Sequence, residues 1–85
     1  MIMRDEKRIP KILHLINQIW EKDKDMRFFQ LIYNLQSKYS YENGNIGQIE
    51  EIEKDGFSRI GFDLFNTEDD ELIEFLKKVT EKEGF

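Results

Sequence analysis

The stretch NTEDDELIEFL, residues 66–76, sets four consecutive acids, Glu68, Asp69, Asp70 and Glu71, just ahead of an apolar pattern. Carboxylates at that density suit a divalent cation, because hard cations take oxygen ligands. They suit a helix start equally well, because acids are favoured at the positive end of the helix dipole. Thr67, with Asp70 three residues on, reads as a variant of the capping box. Leu72, Phe75, Leu76 and Val79 then recur at helical spacing, with Ile73 at the edge, and Gly84 is a natural stop. The spacing therefore predicts a helix over about 68–83, capped by Thr67. A weak, nonspecific divalent site on the four acids is the competing reading.

The other places where chemistry could sit are few. Glu51, Glu53, Asp55 and Gly56 fall at positions 1, 3, 5 and 6 of an EF-hand-like loop. Ser58 then stands where an apolar residue belongs, and Phe62 where a bidentate Glu belongs, so the match fails. There is no cysteine and a single histidine, His14, which excludes thiolate metal sites and disulfides and leaves too few ligands for structural zinc. Neither glycine-rich phosphate loop is present. Acids are plentiful, but nothing singles out an acid–base pair. These observations point away from an enzyme and from any metal or other cofactor.

The elements that must position such residues belong to one small domain of 85 residues. No apolar run is long enough to span a bilayer, and the first residues lack the apolar segment of a signal peptide. Together with the missing cysteines, this predicts a cytoplasmic protein. The net charge of −5 is unevenly placed: residues 1–41 carry +3, residues 42–74 carry −9 and residues 75–85 carry +1. A chain this acidic is a poor match to nucleic-acid phosphates. The acidic block fits either ordinary solvated surface or attraction to a basic partner.

Ile9, Ile12, Leu13, Ile16, Ile19 and Trp20 form a helical stripe over about 5–22, with Leu15 on its edge and Pro10 in the first turn. Asp25 is an expected N-cap for a second helix, Met26 to about Tyr39. Phe28, Leu31, Ile32, Leu35 and Tyr39 form one apolar face. Met26, Phe29 and Tyr33 carry the apolar arc on to about 220°, more than one packing contact covers. That arc needs another cover, from the third helix, from residues 57–65 or from outside the chain. Asn43-Gly44 marks a loop. Asp55-Gly56 signals a two-residue hairpin, with Ile60, Phe62 and Leu64 alternating after it, yet Ile49 and Ile52 suit a helical turn better. The fold class is thus mainly α: three helices, with a short β-hairpin or an extended segment between the second and third. The expected core is Ile9, Ile12, Leu13, Ile16, Ile19, Trp20, Phe28, Leu31, Ile32, Leu35, Leu72, Phe75, Leu76 and Val79.

Three segments recur in a familiar order: Arg8-Ile9-Pro10-Lys11-Ile12-Leu13 with Ile16 and Ile19-Trp20; Asp25-Met26-Arg27 with Gln30-Leu31-Ile32-Tyr33-Asn34; and Asp63-Leu64-Phe65 with Glu68-Asp69-Asp70-Glu71-Leu72. In these the chain resembles a set of small bacterial and phage proteins of unknown function, similar to the YihD-like family. The resemblance covers the first 35 residues and about 63–76, and leaves 42–62 outside. It implies a mainly helical fold and a bacterial or phage cytosol, and it carries no catalytic residue over.

The functional expectation is a noncatalytic protein-interaction module that binds an unidentified protein partner or forms a homodimer, with no nucleic-acid or membrane partner. Its expected contact surface is Met26, Phe29 and Tyr33 with the amides Gln30 and Asn34. The alternative is an acidic inhibitor or nucleic-acid mimic that binds a basic partner protein.

Overall fold

A computed structural model describes residues 4–82. Helix α1 spans Arg8–Glu21 and α2 spans Phe28–Glu42. Strands β1, Gln48–Ile52, and β2, Ser58–Phe62, pair antiparallel, and α3 spans Asp69–Glu81. The hairpin makes the domain mixed α and β, not purely α.

Helices α1 and α3 run side by side in the same direction, tied at both ends. At their starts Arg8 Nε donates to Asp69 Oδ2 at 2.6 Å, and Arg4 pairs with Glu68 at 3.0 Å. At their ends Lys22 Nζ donates to the carbonyls of Thr80 and Lys82, at 2.7 and 2.8 Å. A cation there meets carbonyls that the last helical turn leaves unpaired, at the negative end of the dipole. Helix α2 runs back against this pair and buries Leu31, Leu35 and Tyr39. Leu15, Ile19, Ile73, Phe75, Leu76 and Val79 complete the core, with Ile12, Ile16, Trp20, Met26, Leu64 and Leu72 packed at its margin.

The face of α1 that turns inward differs from the expected one. Ile9 and Leu13 are exposed, while Leu15 is buried. Arg8, Ile12, Leu15, Ile19 and Lys22 lie on one helical stripe, so the end contacts that bind α1 to α3 also turn Leu15 and Ile19 inward. Ile9 and Leu13 lie on the neighbouring stripe and face away. Phe28 is likewise exposed rather than core, while Tyr39, on the expected apolar face, and Ile73, at the expected edge, are both buried.

The helix boundaries also move. Residue 27, not Asp25, is the N-cap of α2, because the preceding residues form a turn: Met26 N–H bonds Asp23 O, and the Met26 carbonyl accepts from Trp20 Nε1 at 2.8 Å. Glu68, not Thr67, is the N-cap of α3, since the amides of Glu71 and Leu72 both bond the Glu68 carbonyl. Asp69, Asp70 and Glu71 do occupy the first turn, as the dipole favours. The stop expected at Gly84 lies outside the described residues.

The hairpin is present, with a three-residue loop in place of a two-residue one. Glu53 N–H bonds Phe57 O across Lys54, Asp55 and Gly56, and Gly56 takes φ +88°. This is the turn-plus-left-handed-residue form of hairpin loop. Gly47 joins α2 to the hairpin at φ +71°, and a Cβ there would collide with the Asp63 carbonyl. All of β1 is exposed.

Candidate interaction surface

The outward side of α2 begins with its N-terminus. Gln30 reaches back so that its Oε1 accepts the Arg27 backbone N–H at 2.9 Å. This satisfies one of the donors that a helix start leaves orphaned. Gln30 is therefore a capping residue first. One turn on, Asn34 Nδ2 lies 3.7 Å from Met26 Sδ and braces that thioether. Met26, Phe29, Gln30, Tyr33 and Asn34 together line one open depression of about 420 Å³. The structure thus brings all five sequence-predicted residues to one place.

Their apolar members differ in cover. The 57–65 segment shelters Tyr33 in part: its hydroxyl donates to the Ile60 carbonyl at 3.0 Å, and its ring centroid lies 5.5 Å from that of Phe62. Tyr33 remains 46% exposed, and Phe29 is 82% exposed. Neither α3 nor the hairpin covers Phe29.

Around Phe29 runs a band of rings that the sequence reading had not joined. Trp20 meets Phe28 at 5.5 Å, Phe28 meets Phe29 at 5.7 Å, and Tyr33 follows Phe29 one turn along and meets Phe62. The register places Phe62, Ile60 and Ile52 on one face of the hairpin, since they pair with Gln48, Glu50 and Ser58 respectively. That is the face toward Tyr33. The alternation of Ile60 and Phe62 was the available signal for these residues. Nothing in the sequence tied Trp20 and Phe28 to the band, because both read as core.

The acidic run has a different geometry. Glu68 and Asp69 turn toward Arg4 and Arg8, while Glu71 Oε2 accepts the Tyr39 hydroxyl at 3.2 Å. Three of the four acids thus serve three separate neighbours, Arg4, Arg8 and Tyr39. Among the described residues no three His, Cys, Asp or Glu side chains are placed to hold a metal ion. Glu42, Asp70, Glu71 and Glu74 flank an open depression of about 640 Å³ with Tyr39 and Lys78. Lys38 pairs with Glu42 at 3.4 Å and Lys77 with Glu74 at 3.5 Å. The Tyr39 phenol is pushed above the ordinary tyrosine range, first by burial and then by the charge and hydrogen bond of Glu71. His14 is exposed on α1, away from the core stripe. No helix among the described residues is long and apolar enough to cross a membrane.

No protein-family model, curated protein or solved structure matches the chain.

Proposed function

We infer that the chain is a noncatalytic protein-interaction module that associates through the aromatic band on α2 and the adjoining hairpin face. The observation that carries this reading is Phe29, which stands in water at the middle of a run of rings. Covering one such ring is worth about 1.5–3 kcal/mol. Contiguous exposed apolar patches mark association surfaces, and aromatics and Met are enriched in them. The bracing of Gln30 and Asn34 adds to this, because a surface that is already ordered loses less entropy on binding. The cytoplasmic location and the bacterial or phage origin implied by the YihD-like resemblance belong to the same reading.

The acidic-mimic alternative draws less support. Five acids of the 42–74 block, Glu42, Glu53, Glu68, Asp69 and Glu74, are ion-paired within the chain. They are also divided between the hairpin and the helices, where a mimic needs one continuous charged face.

The double change Phe29→Ser with Tyr33→Ser tests the interaction reading. Association, measured by sedimentation for self-contacts and by co-purification for other chains, is expected to be lost while the far-UV circular dichroism is unchanged. Unaltered association would overturn the reading.

A further inference from the structure

The hairpin and α2 form two apolar walls. They meet where Tyr33 touches Phe62, and beyond that contact both are bare: Phe29 on one wall and Ile52, 79% exposed, on the other. Resting on the interaction reading above, we propose that the cover is a second copy of this chain, with the hairpin of each protomer seated between α2 and the hairpin of the other.

Surface area is the first argument for a large partner. The chain exposes 7167 Å². A compact monomer of its mass exposes about 5,400 Å². The excess, about 1,800 Å², exceeds the roughly 800 Å² that each partner contributes to an interface of standard size. The radius of gyration agrees, at 14.5 Å against about 12 Å for a compact domain of this length. Among the described residues the hairpin is the most open part: all of β1 and three of the five residues of β2 are exposed. A two-stranded hairpin is marginal in water unless a further surface covers it, and this one meets its own chain at little more than Tyr33.

Self-complementarity is the second argument. The loop that leads into α2, residues 22–27, carries Lys22, Lys24 and Arg27 against Asp23 and Asp25, a net +1, and the hairpin, residues 48–62, carries Glu50, Glu51, Glu53 and Asp55 against Lys54 and Arg59, a net −2. Residues 1–41 are net positive and residues 42–74 strongly negative. A hairpin of one copy against α2 of another therefore brings opposite charges together twice, once on each side of a two-fold axis. Extending the sheet edge to edge does not. The Ile60 carbonyl, on the outer edge of β2, is already taken by Tyr33. Two β1 strands paired about Glu50 would set that carboxylate against its own copy, and like charges directly opposite are destabilising. The contact is hairpin to helix.

Sedimentation equilibrium of the full chain tests this, from nanomolar to high micromolar concentration. The expected mass at the upper end is twice 10.3 kDa. Phe29→Ser and Ile52→Ser, one on each wall, are each expected to weaken the dimer by at least about tenfold. Both side chains are exposed, so circular dichroism should show both variants folded. A dimer that survives either change overturns the exchange. A wild type that stays at 10.3 kDa throughout overturns the second copy as occupant and leaves the band open to a foreign chain. A dimer indifferent to Phe29→Ser removes the interaction reading of α2 as well.

Discussion

Two regions of this molecule each carry several large apolar residues and meet opposite fates. In the α1–α3 pair the apolar residues recur at helical spacing, so each helix gathers most of them toward one face, Ile9 and Leu13 of α1 excepted. The two faces close on each other, and polar contacts at both ends hold the alignment. In the hairpin the apolar residues are divided. Ile49 shares a face with Glu51 and Arg59, and Ile52 shares the other with Ile60 and Phe62. No single contact can bury both sets, and the chain covers only the root of one. The difference teaches that apolar residues organise a core when their spacing agrees with the local backbone period. Where spacing splits them across two faces, they stay available to another surface.

The largest expected effect comes from the closed region. Leu76 is fully buried, and Leu76→Ala should cost about 2–5 kcal/mol in chemical denaturation, for lost transfer energy and the cavity left behind. The corresponding change in the open region, Ile52→Ala, should stay within about 0.5 kcal/mol when the protein is dilute. Similar costs at the two sites would break the comparison.

Next comes the joint between the regions. Gly47→Ala combines a left-handed backbone with a collision at the Asp63 carbonyl, whose own residue donates its N–H to Gly47 O at 2.7 Å. It should cost about 1–3 kcal/mol. Gly56→Ala at the hairpin tip has open space and should cost only about 1 kcal/mol, for the backbone alone. Thermal unfolding of the two variants ranks them. The reverse order would mean that the root is not what holds the hairpin.

Much of this was legible in the sequence, and the misses have physical causes. The three helices followed from periodicity, and the exposure of Phe29 and Tyr33 followed from an apolar arc on α2 too wide for one neighbour, with Gln30 and Asn34 on the polar strip beside it. Which stripe of α1 turns inward was not legible, because Ile9–Leu13 and Leu15–Ile19 are equally apolar. Arg8 and Lys22 decide it by reaching Asp69 and the end of α3, some sixty residues away. The N-cap of α3 moved by one residue because Glu68, not Thr67, supplies the carbonyl that the first helical amides use. Poor alternation left the hairpin undecided, and that poor alternation is the reason neither face is buried.

Concentration separates the regions in a third way. If the aromatic band is covered by association, the wild-type melting temperature should rise with protein concentration, since binding to the native state alone stabilises it. Phe29→Ser should flatten that dependence and leave the dilute-limit melting temperature within the few degrees expected of an exposed site. A melting temperature independent of concentration in the wild type would count against an association surface that links copies of the chain.

The smallest effect lies on α2 itself, which belongs to both regions. Tyr33 points its hydroxyl at the hairpin, whereas Tyr39 points its own at Glu71 of α3, with its ring 5.3 Å from that of Phe75. Burial and the neighbouring carboxylate favour the neutral phenol of Tyr39, so its folded pKa lies above the unfolded value. The folded state therefore holds this proton after the unfolded state has released it, and stability must fall as pH rises through that window. The contribution is fully present below about pH 10, the ordinary tyrosine value, and is lost as pH climbs through the raised folded value. Tyr39→Phe should remove this alkaline component while the rest of the profile remains. Glu71→Gln should shift the tyrosinate absorbance of Tyr39 toward the ordinary range, because one of its two causes is gone. An alkaline limb identical in wild type and Tyr39→Phe would mean that the phenol is not held neutral at the α2–α3 contact.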